Sequence, residues 1–188
     1  MLEWLKNEKH PAIMVEAVKL LGVAEAPGSI NNPVIMAWAK EVGKARLGIS
    51  YSADSVPWCG LFMAVCAVRA GLEPPPIAVR ALAWAGWGTP VQRAALGDVL
   101  VFTRKGGGHV GLYVGEDANA YHVLGGNQGD KVSVTRIAKA RLYSARSFLC
   151  AQQLNGLDQY GRVLLFEQPI KLHAAPNGSG CGIACRLR

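Results

Sequence analysis

The hydrophobic pattern of this 188-residue chain changes from one period to another part-way along its length. In the first part, apolar residues recur at helical spacing, as Ile13, Met14, Ala17 and Val18 do. From about residue 98 they fall in short runs separated by Gly or Asp, which is typical of strands. Helices followed by strands predict an α+β fold, with N-terminal helices packed on a C-terminal antiparallel β-meander.

Capping and breaking residues set the expected limits of these elements. Asn32 followed by Pro33 predicts an N-cap and a first helical position, and Gly43 ends that helix. The proline run at 74–76 prevents a preceding helix from continuing. We predict helices at 11–21, 33–43, 55–71 and 77–85, and strands at 98–103, 109–114, 120–125, 131–136 and 144–150.

Composition favours a globular protein and limits the classes of partner. The chain is 51% apolar and 18% charged, and it has no apolar run long enough to cross a bilayer. Its first residues lack the order of a signal peptide. The net charge is +7, but Lys and Arg are dispersed, so we expect no nucleic-acid or membrane partner. This charge serves solubility or attraction to a negatively charged cell wall.

Three short segments carry the chemistry, at 57–60 (PWCG), 108–111 (GHVG) and 125–128 (GGNQ). In chain order they supply a thiol, an imidazole and an amide. Cys59 falls in the first turn of a predicted helix, where free N–H groups and the helix dipole stabilise a thiolate. We therefore expect a lowered Cys59 pKa and an oxyanion contact from its N–H, as in a cysteine-nucleophile hydrolase.

The third member of the set depends on strand register. If a hairpin pairs positions that sum to 236, Asn127 lies opposite His109 and its amide orients the imidazole. Strand alternation puts Gly111 on the His109 face, which would let the cysteine helix approach. His122 competes for this role, but its odd offset from Asn127 points it to the opposite face. Weaker candidates are Gln128 and Asp130.

The other cysteines suggest no disulfide framework and no metal centre. Cys66 and Cys150 fit small buried apolar positions. Cys181 and Cys185, with His173 upstream, form at best an imperfect zinc site in a Gly-rich tail. We therefore expect a protein that needs no metal and no cofactor.

The order of these motifs resembles the NlpC/P60 and CHAP cysteine peptidases, closest to a phage-associated branch of small peptidoglycan hydrolases. The resemblance covers about residues 10–150 and implies a papain-like core at 1–154, with 155–188 as a partly mobile extension. It also implies a nucleophile at Cys59, a base at His109 and an orienting amide at Asn127. Many NlpC/P60 members have Asp before the cysteine and Ser after it, whereas this chain has Trp58 and Gly60.

The resemblance implies hydrolysis of an amide bond in the peptide part of bacterial peptidoglycan, through a thioester. We expect Trp58, Ser55 and Gln128 to contribute to substrate or oxyanion binding. We also expect a monomer made in the bacterial cytoplasm and delivered to the wall by a holin, a virion or a secretion apparatus. The alternatives are a non-catalytic wall-binding or virion structural protein, and an interbacterial amidase toxin.

Overall fold

The computed structural model describes Leu5 and residues 10–148. Cys150, His173, Cys181 and Cys185 lie outside the described residues, as does the extension predicted at 155–188. The helices are α1 (Ala12–Lys19), α2 (Pro33–Val42), α3 (Lys44–Leu47) and α4 (Cys59–Arg69), with 3₁₀ segments at Ala81–Gly86 and Lys139–Arg141. The strands are β1 (Thr89–Pro90), β2 (Val99–Arg104), β3 (Gly107–Glu116), β4 (Ala120–Gly125), β5 (Ser133–Ala138) and β6 (Leu142–Ser147).

The strands form one antiparallel sheet, and with the helices it gives the predicted α+β fold. Strands β2 to β5 follow one another as a meander, as predicted. The last strand departs from that prediction, because β6 returns to pair with β2 and β1 pairs outside it, giving the order β1-β6-β2-β3-β4-β5. The return of β6 covers the edge of β2 that a simple meander would leave open.

Helix α4 is the centre of the core. Every residue of this helix from Cys59 to Ala67 is buried. Helices α1 and α2 both pack against it, and it also packs against β3 and β4. Apolar strand residues that include Val101, Val110 and Leu124 join the same core cluster. A helix surrounded in this way holds its first residue in a fixed position relative to the sheet.

A buried carboxylate fixes the loops that precede α4. Asp54 accepts backbone N–H bonds from Ala26 at 3.0 Å and from Asn32 at 2.8 Å, and these bonds hold its pKa below the usual range. The Asn32 side chain accepts from the Val34 N–H at 2.7 Å, so the predicted N-cap is confirmed. The chain leading into α4 is thereby tied to the start of α2.

Within the described part of the chain, no helix has the length and apolar character needed to cross a membrane.

Candidate active site

Cys59 is the first residue of α4 and lies at the edge of a groove. Its N-cap residue, Trp58, makes no side-chain capping bond, so the first-turn N–H groups have no such partner. The Cys59 side chain is 3% exposed, and it contributes to the lining of a groove of about 550 Å³. A substrate placed in this groove would meet the thiol at the helix start.

The Cys59 thiol is neutral in the resting protein, contrary to our expectation of a lowered pKa. Burial raises the pKa of Cys59, and this effect outweighs the Val110 N–H, the Arg104 cation and the helix-start amides, which lower it. The Val110 amide follows His109 directly in the chain, so the sulfur lies beside the backbone of the histidine segment. Desolvation therefore has a larger effect than the helix start at this position.

The imidazole of His109 is bonded to Gln128, and the bond fixes its tautomer. The distance from His109 Nε2 to Gln128 Oε1 is 3.0 Å. The amide nitrogen of Gln128 donates to the carbonyl of Val123 at 3.1 Å and also to that of Ser133. Because both amide hydrogens are used, Oε1 must accept, so the proton of the neutral imidazole lies on Nε2. Nδ1 is left with a lone pair that can take the proton of a thiol.

Neutral His109 is favoured over its protonated form. Burial lowers the pKa of His109, the Gln128 bond opposes that effect, and the Arg104 and Arg141 cations add to the lowering. Among the described residues no hydrogen bond joins the Cys59 thiol to this imidazole. Catalytic hydrogen bonds are commonly long before substrate binds. In the resting protein the Cys59 thiol and the His109 imidazole are thus both neutral.

The prediction that Asn127 orients His109 is wrong in its geometry. The register sum of 236 is confirmed for Leu112 and Leu124, but β4 ends at Gly125, before it reaches Asn127. Beyond the strand, Asn127 turns into the left-handed region with a φ of 56°, and its amide donates to Glu25 Oε1 at 2.7 Å. This turn brings the next residue, Gln128, onto the imidazole. The orienting group is therefore an amide, one position later than predicted.

Two glycines of the 125–128 segment permit the close packing around the imidazole. A Cβ at Gly125 would lie 3.3 Å from His109 Nε2, and one at Gly126 would lie 2.6 Å from the Phe62 Cβ. Gly126 therefore sets the segment directly on the first turns of α4. Gly111 has a different role from the one expected, because its Cβ would lie 2.6 Å from Val123 in β4 rather than beside the helix.

A carboxylate that sequence reasoning missed connects the two halves of the site. Glu25 Oε1 accepts from Trp58 Nε1 and from Asn127 Nδ2, each at 2.7 Å. The Glu25 N–H donates to the Asp130 carbonyl at 2.8 Å, which ties the 22–25 segment to the loop after β4. The 22–25 segment has no strand periodicity that would predict this pairing. The one sequence signal for the role of Glu25 is an acidic residue among apolar neighbours.

None of the three residues expected to bind substrate lines the groove. Trp58 is fully buried, with its ring 6.1 Å from that of Trp38, so its side chain is part of the core. Ser55 is exposed and does not line the groove beside Cys59. Gln128, the third of this group, is buried behind His109 and serves the imidazole rather than the groove.

The groove runs between the segment before Trp84 and the turn that joins β2 to β3. Ile77 stands on its rim, 41% exposed, with a φ of 57°. A β-branched residue in the left-handed region carries strain of about 1–3 kcal/mol, which is commonly found at functional sites. The lining residues are Pro57, Cys59, Pro76, Ile77, Val79, Arg80, Ala81, Leu82, Ala83, Arg104, Gly106, Gly107 and Gly108.

Within residues 10–148, no group of three His, Cys, Asp or Glu side chains comes together as metal ligands would. No protein-family model matches the sequence, and no curated protein is significantly similar to it. The site geometry and the order of the sequence motifs are therefore the basis for assigning a function.

Proposed function

We propose that the protein is a cysteine hydrolase that cleaves an amide bond in the peptide part of bacterial peptidoglycan. The observation that carries the proposal is the Gln128 amide, whose two donated bonds force His109 to present an unprotonated Nδ1. An imidazole held in one tautomer, with one ring nitrogen left unprotonated, is what a general base for a thiol requires. The peptidoglycan assignment itself comes from the resemblance of the motifs.

The proposed reaction begins from the neutral pair. His109 Nδ1 takes the Cys59 proton as the sulfur attacks the substrate carbonyl carbon, and the carbonyl oxygen becomes an oxyanion. The Cys59 N–H, free at the helix start, donates to that oxyanion. His109 then gives its proton to the leaving amine, the C–N bond breaks and a thioester remains. Water, deprotonated by His109, attacks the thioester and releases the acid and the thiol.

The low pKa of His109 suits this sequence of steps. A base that stays unprotonated at neutral pH is ready to accept the thiol proton, and the imidazolium formed is a strong acid toward the amine. Gln128 accepts from Nε2–H in both states, which keeps the ring in one orientation during the transfers. Burial disfavours a charged pair at rest, so charge develops mainly during the reaction.

Mass spectrometry of fragments released from purified peptidoglycan tests the proposal and locates the bond. We expect the wild-type chain to release fragments with new amine and carboxyl ends, and the Cys59→Ala variant to release none. Cys66→Ala, a matched change two turns along the same helix, should leave the release intact. Equal release by the Cys59→Ala variant would refute a cysteine mechanism.

Two other functions predict a different result. A non-catalytic wall-binding or virion structural protein on this fold would sediment with purified walls and release no fragments. An interbacterial amidase toxin would release the same fragments, and an adjacent immunity gene would distinguish it from a lysin. Delivery to the wall by a holin, a virion or a secretion apparatus belongs to the same proposal.

A further inference from the structure

Two guanidinium groups line the groove beside Cys59. Arg80 lies on the side formed by the 76–83 segment, and Arg104 lies at the end of β2 on the opposite side. Both side chains are exposed, and neither pairs with a carboxylate among the described residues. No Asp or Glu lines the groove. The groove is therefore cationic.

Three other arginines of the described chain are paired with acids, whereas Arg93, Arg141 and Arg146 have no acidic partner there. Arg46 binds Glu73, Arg69 binds Glu41 and Arg136 binds Asp117, each through two nitrogen–oxygen contacts of 3.0 Å or less. Bidentate pairing is the usual arrangement of Arg with a carboxylate. Arg80 and Arg104 have no such pairing among the described residues and line a groove that contains no acid, so their guanidinium groups are open to a ligand.

The Arg104 cation acts on both reacting groups. It lowers the pKa of Cys59 and the pKa of His109, and its side chain lines the same groove as Cys59. Arg104 precedes a tight turn in which Gly106 has a φ of 80°, and neither Gly106 nor Gly107 has an atom within 4 Å of the position a Cβ would take. The bare turn leaves the space beside the guanidinium open to a ligand.

We propose that Arg80 and Arg104 form a subsite for a carboxylate of the substrate, so that the enzyme selects acidic stem peptides over amidated ones. This inference rests on the proposed function, because stem peptides of peptidoglycan carry carboxylates that bacteria leave free or convert to carboxamides. A carboxylate in the groove would accept bidentate bonds from a guanidinium, whereas a carboxamide keeps one acceptor oxygen and loses the charge. The subsite also orients the peptide so that its scissile carbonyl lies at Cys59.

The test uses the full chain and two synthetic stem tetrapeptides, one with free carboxylates and one with every carboxylate amidated. Calorimetry on the Cys59→Ala protein measures binding without turnover. We expect the acidic peptide to bind about tenfold or more tightly, the factor that a charge-assisted hydrogen bond is worth. Arg80→Gln and Arg104→Gln should each reduce this preference, and the double variant should abolish it. Arg136→Gln, which removes a paired arginine, should leave it unchanged.

Three results would overturn the subsite. They are equal binding of the two peptides, absence of binding by either peptide, and a preference that survives in the double variant. Tighter binding of a single-stranded oligonucleotide than of the acidic peptide, lost in the same double variant, would also overturn it. Failure of the proposed function has a separate signature, because the wild-type chain would then release nothing from peptidoglycan whatever its preference in binding. Hydrolysis of both peptides with equal kcat/KM would leave the hydrolase intact and refute the subsite alone.

Discussion

The hairpin formed by β3 and β4 carries a histidine near each end, and the two differ in every property that matters for catalysis. His109 is buried, bonded to a neutral amide and adjacent to the segment that meets Cys59. His122 is partly exposed and bonds Asp117 Oδ2 at 2.9 Å. Asp117 also binds Arg136 and accepts two backbone N–H bonds, which holds its pKa far below the usual range.

The comparison shows that a histidine bonded to an oxygen is not by itself a catalytic unit. The Asp117 cluster faces solvent and joins β4 and β5 across their ends, so it serves as a surface brace. At the other end, burial keeps His109 neutral and the Gln128 amide selects its tautomer. Four predictions test this distinction, and the second compares the two ends directly.

The largest effect is expected for Cys59→Ala, because it removes the nucleophile. Turbidity loss of purified cell walls should fall by about 10³-fold or more, as is usual when a nucleophile is deleted. The control, Cys66→Ala, should keep its activity and lose about 1 kcal/mol in the free energy of unfolding, as typical core substitutions do. Circular dichroism should show both variants folded, and retained lysis in the first would end the assignment.

Replacing each histidine in turn contrasts the two ends of the hairpin directly. We expect His109→Ala to reduce kcat by roughly 10²–10⁴-fold, the range that general acid–base catalysis supplies. His122→Ala should retain nearly full kcat and show only a small drop in melting temperature. A comparable loss of activity in the two variants would show that His109 and His122 do not differ in their role.

The orienting role is assigned by Gln128→Ala and Asn127→Gly. Gln128→Ala should reduce kcat by roughly ten- to hundredfold, a fraction of the general-base contribution, because the ring loses its fixed tautomer. It also leaves the Val123 and Ser133 carbonyls without these donors. Asn127→Gly keeps a residue that tolerates the φ of 56° and should cost far less activity. Steady-state kinetics at fixed pH measures both losses. A larger loss of kcat in Asn127→Gly than in Gln128→Ala would assign the orienting role to Asn127.

The smallest effect concerns pH. Activity needs neutral His109, so it is present above the pKa of the folded protein and lost as pH falls through it. Because burial lowers that pKa below 6.5, the loss should occur at a pH below 6.5. Arg104→Gln removes a cation that disfavours the imidazolium, so the His109 pKa should rise and the loss should move to higher pH. NMR titration of the imidazole without substrate reports this shift independently of binding, and an unmoved pKa would contradict it.

Local signals in the sequence predicted most of the elements, with Cys59 near a helix start and His109 in a strand. Although α4 begins at Cys59 rather than at the predicted residue 55, the Asn32 cap and the limits of β4 follow from capping and alternation. The return of β6 to β2 could not be predicted in this way, because the residue pattern within a strand does not determine which other strand it pairs with. The two-residue strand β1 is too short to have a pattern.

The orienting residue could not be predicted because it depends on where a strand stops. The register sum was correct within the hairpin, yet extending it to Asn127 assumed that β4 continues past Gly125. The Asn127 amide donates a hydrogen bond to Glu25, which lies 102 residues earlier in the chain, and not to His109. The pKa of Cys59 was misjudged for a related reason, since the burial of α4 on every side is a property of the assembled core.

Glu25 also imposes an order of events on biosynthesis. It joins side chains that lie 33 and 102 positions further along the chain, and its segment pairs with residues 130–132. A ribosome must therefore release most of the domain before the thiol, the imidazole and the amide can meet. Nascent chains that stop short of this loop contain the cysteine helix and His109 but lack the Gln128 amide that orients the imidazole, so we expect them to lack the proposed activity.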